Sequence, residues 1–417
     1  MVATILRSMC KMVGMKRVYQ AVIREHFRSE RQMLFLMGPR QVGKTTSSRR
    51  AGGSRGRHVY LNWDNVDHQA LLVAGPGEVA QALELDRVGA DKPLLVLGEI
   101  HKFEHWRPFL KGFFDTYGSE CDVLVTGSAR LDVFNVSGDS LMGRYFSYRM
   151  HPLSVAELVA PELPTDSGPR APRPIEPSMW EALVKFGGFP EPLARQEDRF
   201  ANRWRRLRHQ QLLREELRDL TRIQELKKVE VLAQLVIQRT GQQLRYSALA
   251  TEVGASIDSI KRWLATLESL YYCFRIRPWF RNVARSLRKE PKVFLWDWSL
   301  LADPGARFEN LVASALLKAC HFWTDDGLGR FELHYLRDKD QREVDFLVSR
   351  DDQPWLMVET KRSGARALSK SLRHFAERLN VPHALQVAEE LPYVDRDVFA
   401  LDRPKVVPAR TFLSQLI

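Results

Sequence analysis

Gly38-Pro39-Arg40-Gln41-Val42-Gly43-Lys44-Thr45-Thr46 directly follows the apolar run 33–37, and together they read as a strand, a phosphate-binding loop and the start of a helix. The pattern G-x-x-x-x-G-K-[ST] turns successive backbone N–H groups toward an anion. Gly38 and Gly43 supply backbone shapes that a side chain would block, and Pro39, Arg40, Gln41 and Val42 span the bend between them. Lys44 adds a point charge that bridges β- and γ-phosphates. Thr45 offers its hydroxyl to Mg2+, and the helix that continues through Thr46 presents the positive end of its dipole. The ligand expected here is a nucleoside triphosphate with magnesium.

Outward from the loop, the short apolar runs 33–37, 59–63, 94–97 and 123–126 alternate with helical stretches, which predicts a parallel α/β sheet covered on both faces. We place this part at residues 1–158. Residues 159–178 follow as a linker or exposed loop, because the six prolines between 161 and 177, with Ser167 and Gly168, fit neither helix nor central strand. From 179 to 290 the periodicity is helical. Tyr246-Ser247-Ala248-Leu249-Ala250 leads through Gly254 to a second apolar stripe at Ile257, Ile260, Leu264, Leu267 and Leu270, with a strand-like run after it. Two helices, a short turn and a strand resemble a winged helix-turn-helix, on which Lys261 and Arg262 could reach phosphate. The same module could instead pack between its neighbours and touch no DNA.

Residues 291–417 read as a separate α/β part, with strands at 293–296, 333–336, 344–348 and 356–359 and helices at 308–320 and 368–379. Two of these strands flank Arg350-Asp351-Asp352-Gln353-Pro354 and predict an antiparallel hairpin. If the turn centres on Asp352, Asp345 lies opposite Glu359 and the pleat repeat places Lys361 on the same face. Val344, Phe346, Leu356 and Val358 then turn to an apolar reverse side. Facing carboxylates make sense if a divalent cation lies between them, with Lys361 orienting a bound water and Glu309 completing the acidic group. A salt-bridged hairpin side, with Lys361 paired to Glu343 or Glu359, is the other reading.

The chain of 417 residues exceeds one ordinary core, so two or three domains are expected, and its 44% apolar content argues against disorder. A net charge of +12 favours polyanionic partners such as nucleic acid, with arginine-rich clusters at 203–208, 277–292 and 361–373. Cys10, Cys121, Cys273 and Cys320 show no C-x-x-C spacing, against a zinc site or a disulfide framework. No run of eighteen apolar residues and no secretory pattern is present, so the expectation is a cytoplasmic protein without a membrane span.

The order of parts carries a resemblance. A P-loop, then Gly98-Glu99-Ile100-His101-Lys102, Thr126-Gly127-Ser128, Met142-Gly143-Arg144, Pro152-Leu153-Ser154 with Glu157, Gly187-Gly188-Phe189-Pro190, Phe308-Glu309-Asn310, and finally Asp345 with Glu359-x-Lys361 resembles a group of prokaryotic AAA-superfamily ATPases. Those proteins carry a winged helix and a C-terminal domain similar to PD-(D/E)XK nucleases, a restriction-endonuclease-like fold. The resemblance implies ATP and Mg2+ as cofactors, with Lys44 and Thr45 on phosphate and metal. It makes Glu99 the base that activates water, Ser128 a polar sensor, and Arg144 a charge-stabilising arginine within or between subunits. It assigns Glu309, Asp345 and Glu359 to a metal site and Lys361 to catalysis beside it. One departure stands out: the family has Asp-Glu where this chain has Gly98-Glu99, so the acid that steadies the magnesium water shell is missing. Asp64 is a candidate to compensate. Three functions follow as expectations: a nucleotide-controlled protein that binds or cleaves nucleic acid, a non-enzymatic ATP switch or scaffold with a protein partner, and, distantly, a small-molecule kinase.

Overall fold

Five parallel strands organise the N-terminal part of the computed structural model, which describes residues 15–53, 57–87, 92–127, 141–164, 168–216, 226–280 and 289–417. They are β1 (Met33–Met37), β2 (His58–Asn62), β3 (Leu94–Gly98), β4 (Asp122–Gly127) and β5 (Tyr145–Arg149), in the order β2-β3-β4-β1-β5. β1, β3 and β4 are buried along their whole length, which explains why they read as continuous apolar runs. β5 was not expected from the sequence. It lies at the sheet edge, and its half-exposed Tyr145-Phe146-Ser147-Tyr148-Arg149 gives no apolar run. The helix Trp106–Tyr117 buries Trp106, Phe109, Leu110, Phe113 and Phe114 against the sheet, a stripe with helical spacing.

Parallel pairing brings all the strand carboxyl ends to one edge, where Asn62 lies beside Gly98, Gly98 beside Thr126, and Met37 beside Gly127. β4 separates β1 from β3, so the connections reverse direction across the P-loop strand. Ligands of open α/β sheets bind at such an edge.

This unit comprises Lys16–His151 with Pro161–Leu163; Pro152–Ala160 and Pro164–Ile417 belong to the other. In that second unit, helices Pro177–Phe186, Pro190–Arg195, Asp198–Gln210 and Leu226–Gln238 precede the pair Tyr246–Val253 and Ile257–Ser269. Gly254 closes the first of that pair in a left-handed conformation (φ 66°), and Ser256 caps the second through Ser259 N–H. Ile260, Trp263, Leu264 and Leu267 are buried, as the stripe required, whereas Ile257 stays 43% exposed.

β6 (Cys273–Pro278) and β7 (Lys292–Leu295) are antiparallel, and β6 also pairs in parallel with β8 (Phe331–Arg337). With β9 (Glu343–Arg350), β10 (Gln353–Lys361), β11 (His383–Ala388) and β12 (Lys405–Pro408) they form a mixed seven-stranded sheet, ordered β12-β11-β10-β9-β8-β6-β7. The helix Pro304–Asp325 packs on it and buries Phe308, Leu311, Val312, Leu316 and Trp323 among others. Asn310 on this helix accepts from Leu295 N–H (2.8 Å) and donates to Leu295 C=O (2.7 Å), tying down the outer side of β7. Cys121, Cys273 and Cys320 are buried; Cys10 lies outside the described residues. Among the described residues no helix is long and apolar enough to cross a membrane.

Lys318 on the same helix reaches the short helix Val155–Val159, where its ammonium lies 2.5 Å from Glu157 Oε2 and 2.9 Å from Ser154 Oγ. Both charged side chains are at most 1% exposed. Lys318→Met strands a buried carboxylate and is expected to cost about 3–5 kcal/mol in urea unfolding, and adding Glu157→Leu should recover most of it. A single-variant loss below about 1 kcal/mol, the scale of surface pairs, would contradict this account.

Candidate nucleotide site and carboxylate cluster

The P-loop bend is built from left-handed backbone at Gln41 (φ 64°) and Gly43 (φ 105°), with Gly38 at φ 152°. A Cβ on Gly38 would stand 2.3 Å from the Met150 carbonyl oxygen, so only glycine fits there. Arg17 holds the bend from beneath, donating to the carbonyls of Val42 (2.5 Å) and His151 (2.6 Å). The helix Lys44–Gly53 starts at once, with Ser47 N–H on Gly43 C=O at 2.9 Å. Lys44 is buried and its ammonium folds back onto the carbonyls of Gly38 and Pro39, each at 2.7 Å. Arg40, Gln41, Thr45 and Thr46 are exposed, while Pro39 and Val42 are buried. A strand end, a left-handed loop, a lysine at its neck and an open threonine hydroxyl at a helix N-terminus fit a magnesium nucleotide.

Across the sheet edge, Glu99 follows β3 in a left-handed conformation (φ 52°, ψ 25°), a strained state for a side-chain-bearing residue. Glu99 N–H donates to Thr126 C=O (3.1 Å), fixing its place beside β4. Its Oε2 is buried without a hydrogen-bond partner, 3.8 Å from His101 Nε2. Asp64 does not stand free to replace the missing acid, because it pairs with Lys102 at 2.6 Å. Arg144 lies at the opposite edge of the sheet, where its carbonyl accepts from Met33 N–H at the start of β1. Asp115 holds the Arg144 guanidinium in a two-point contact of 2.8 and 2.9 Å, and that contact keeps the Asp115 carboxyl below the usual range. Arg144 therefore does not meet the P-loop of its own chain. Ser128 lies outside the described residues.

In the second unit, the β9–β10 turn is tighter than expected. Asp351 and Asp352 both have positive φ (50° and 67°), and Arg350 pairs directly with Gln353. A bulge at Trp355 then shifts the register so that Leu356, Met357 and Val358 face Val348, Leu347 and Phe346. The ladder ends there, and beyond it the Asp345 side chain reaches Thr360. Leu347 and Met357 are as buried as Phe346 and Val358, so the hairpin lies inside the sheet with both faces covered, and it is not apolar on one side only.

Asp345 Oδ2 accepts from Thr360 N–H and from Thr360 Oγ1, each at 2.7 Å, and Lys361 pairs with Glu359 at 2.7 Å. Glu309 joins from the helix Pro304–Asp325, with Gly241 packed over it: a Cβ there would stand 3.1 Å from Glu309 Oε2. Burial and then the Asp345 charge push Glu309 up to about 8 and Glu359 up to about 7. Glu309 Oε1 and Glu359 Oε2 have no hydrogen-bond partner.

Sequence reasoning missed Lys292. This 3% exposed lysine at the start of β7 lies 2.5 Å from Glu343 Oε1, whose other oxygen takes Arg337 at 2.7 Å. Burial works against its ammonium, yet Asp345, Glu309 and Glu343 hold its pKa above the usual lysine value. Only its position within an arginine-rich run marked it in the sequence. Lys292, Arg239, Arg245, Arg337 and Glu343 line a cavity of about 490 Å³. Among the described residues no three acids, histidines or cysteines come together closely enough to hold a metal ion. Glu309, Asp345 and Glu359 share a field without forming a coordination shell, and Lys292 supplies a positive charge within it.

A Glu309 pKa above its unfolded value means that the native state holds the extra proton. That stability is fully present below about pH 4.5 and is lost as pH rises toward about 8. In chelated buffer the melting temperature is expected to fall across this window, and less steeply in Glu309→Gln; parallel profiles would refute the assignment.

Residues 30–159 match the family described as an AAA domain, residues 178–304 a domain of unknown function (DUF8612), and residues 304–410 a second such domain (DUF4143). Uncharacterized protein Rv2008c of Mycobacterium tuberculosis and uncharacterized protein Mb2031c of Mycobacterium bovis are each 23% identical over 356 residues, 82% of this chain and 73% of theirs. Among solved structures, a RuvB variant of Thermotoga maritima aligns over 62% of this chain and 87% of its own, with 16% identity and a TM-score of 0.28. A second RuvB variant gives 61%, 86%, 14% and 0.27. The AAA-domain match spans the P-loop sheet and supports a P-loop ATPase domain over residues 30–159.

Proposed function

We propose that this chain is an AAA-type ATP-binding protein whose nucleotide state governs a second unit that contacts nucleic acid, working in the cytoplasm. The observation that carries the reading is the left-handed bend 38–43, closed by Lys44 and opening onto the Thr45 hydroxyl. Lys44, now on the Gly38 and Pro39 carbonyls, would hold phosphate oxygens. Thr45 would hold Mg2+, which would supply charge neutralisation on the phosphates. The buried and unpartnered oxygen of Glu99 supports it as the base for an attacking water. Gly98 brings no carboxylate, so binding is favoured over turnover and hydrolysis is slow. Ser128 as sensor and Arg144 acting across a subunit interface complete this reading of the site.

The working boundaries are a P-loop part to 158, a linker to 178, a helical and winged-helix part to 290, and a C-terminal α/β part related to PD-(D/E)XK nucleases. Nucleic-acid contact rests on Lys261 and Arg262, both exposed on the second helix of the helix-turn-helix pair, and on the charge of +12. Among the described residues Glu309, Asp345 and Glu359 do not come together closely enough to hold a metal ion, and the reading includes no cleavage. Lys292 inside that cluster favours a second reading, an ATP-dependent switch or scaffold that recognises a protein partner and cuts nothing.

Calorimetry should show magnesium-ATP binding that falls by about tenfold to a hundredfold in Lys44→Ala, the worth of a charged hydrogen-bonded contact. Wild-type protein that gives no heat with ATP removes the proposal. Retardation of DNA or RNA at low salt should weaken steeply between about 50 and 200 mM and in Lys261→Glu with Arg262→Glu. ATP binding without retardation of any nucleic acid would leave the protein-partner reading in its place.

A further inference from the structure

Strand β2 carries an oxygen into the space that Gly98 leaves open. The two strands pair in parallel, Tyr60 beside Val96 and Asn62 beside Gly98. A Cβ built on Gly98 would stand 2.8 Å from Tyr60 Oη and 3.4 Å from Asn62 Oδ1. The phenol therefore fills the place where an aspartate side chain at this position would begin. Arg49, on the helix that leaves the P-loop, lies over the ring, with its guanidinium carbon 4.7 Å from the ring centroid. None of the hydrogen bonds among the described residues uses Tyr60 Oη, and Asn62 Oδ1 receives only a long contact from Asp64 N–H at 3.4 Å. The neighbouring carboxylate, Asp64, is committed to Lys102.

We propose that Tyr60, assisted by Asn62, stands in for the missing acid: its hydroxyl is the neutral oxygen that faces the water shell of the nucleotide's magnesium ion. A phenol accepts a hydrogen bond from a metal-bound water as a carboxylate does, without adding charge. Tyr60 is thus a positioning residue. The site keeps a directed acceptor and gives up the electrostatic pull on the cation, which separates nucleotide binding from fast turnover. Gly98 is required by this arrangement, because an aspartate there meets the Tyr60 hydroxyl.

The inference rests on the ATP reading above, and calorimetry of ATP in magnesium and in EDTA separates the two. Tyr60→Phe is expected to lose about tenfold in affinity with magnesium and nothing in EDTA, a split that a packing role would not produce. Gly98→Asp alone should lose magnesium-ATP affinity, because its side chain meets the Tyr60 hydroxyl. Gly98→Asp combined with Tyr60→Phe frees the space and should recover about tenfold over Tyr60→Phe in magnesium. Asn62→Asp, which places a carboxylate beside the same position, should raise magnesium-ATP affinity with the EDTA value unchanged. Equal losses in both buffers, or Tyr60→Phe matching wild type in magnesium, overturns the role of Tyr60. Wild-type protein that binds ATP in neither buffer removes the underlying nucleotide reading instead.

Discussion

Backbone meeting backbone at Gly38 is the contact on which the nucleotide site depends. With the Met150 carbonyl 2.3 Å from any Cβ at this position, the chain can leave β1 and turn back only if residue 38 has no side chain. Everything after it follows from that turn. Arg17 ties the far side of the loop to the carbonyls of Val42 and His151, and the helix Lys44–Gly53 begins directly after it. Because Lys44 already bonds two loop carbonyls, an arriving phosphate replaces existing contacts and does not have to organise a mobile side chain.

The two candidate sites handle charge in opposite ways. Around the P-loop, partial charges on peptide groups do the work, and the acidic complement is thin: Glu99 remains, Gly98 is bare, and Asp64 is engaged by Lys102. In the seven-stranded sheet, full charges crowd into a region poor in water. Glu309, Glu343, Asp345 and Glu359 are balanced by Lys292, Arg337 and Lys361. Burial raises the Glu309 and Glu359 carboxyls, while Glu343 and Glu359 keep cations close.

Much of this was legible in the sequence, for identifiable reasons. The P-loop announces itself because glycine, lysine and threonine at fixed spacing answer one geometric need, and the buried strands β1, β3 and β4 announce themselves as unbroken apolar runs. The β9–β10 hairpin also came from pattern, although the route differed: a two-residue turn with a bulge at Trp355 replaces the longer turn. The bulge lets the Trp355 ring stack on Phe399 and meet Trp323 edge-on, a demand set by residues 32 and 44 positions away. Edge strand β5 and the strands β11 and β12 lacked a local signature. Tyr60 and Lys292 were invisible for a different reason, since each matters through a neighbour across a strand pair, and single-sequence periodicity carries no cross-strand information.

β7 is the outer strand of its sheet, and outer strands carry unpaired peptide groups that invite edge-to-edge pairing with other molecules. Asn310 answers Leu295 with one acceptor and one donor, imitating the partner strand that is not there. Thr240 and Gln243 form isolated bridges to Val293 and Lys292 along the same strand. The margin is thereby closed to templated polymerisation, and a side-chain amide on a helix serves as a guard against aggregation.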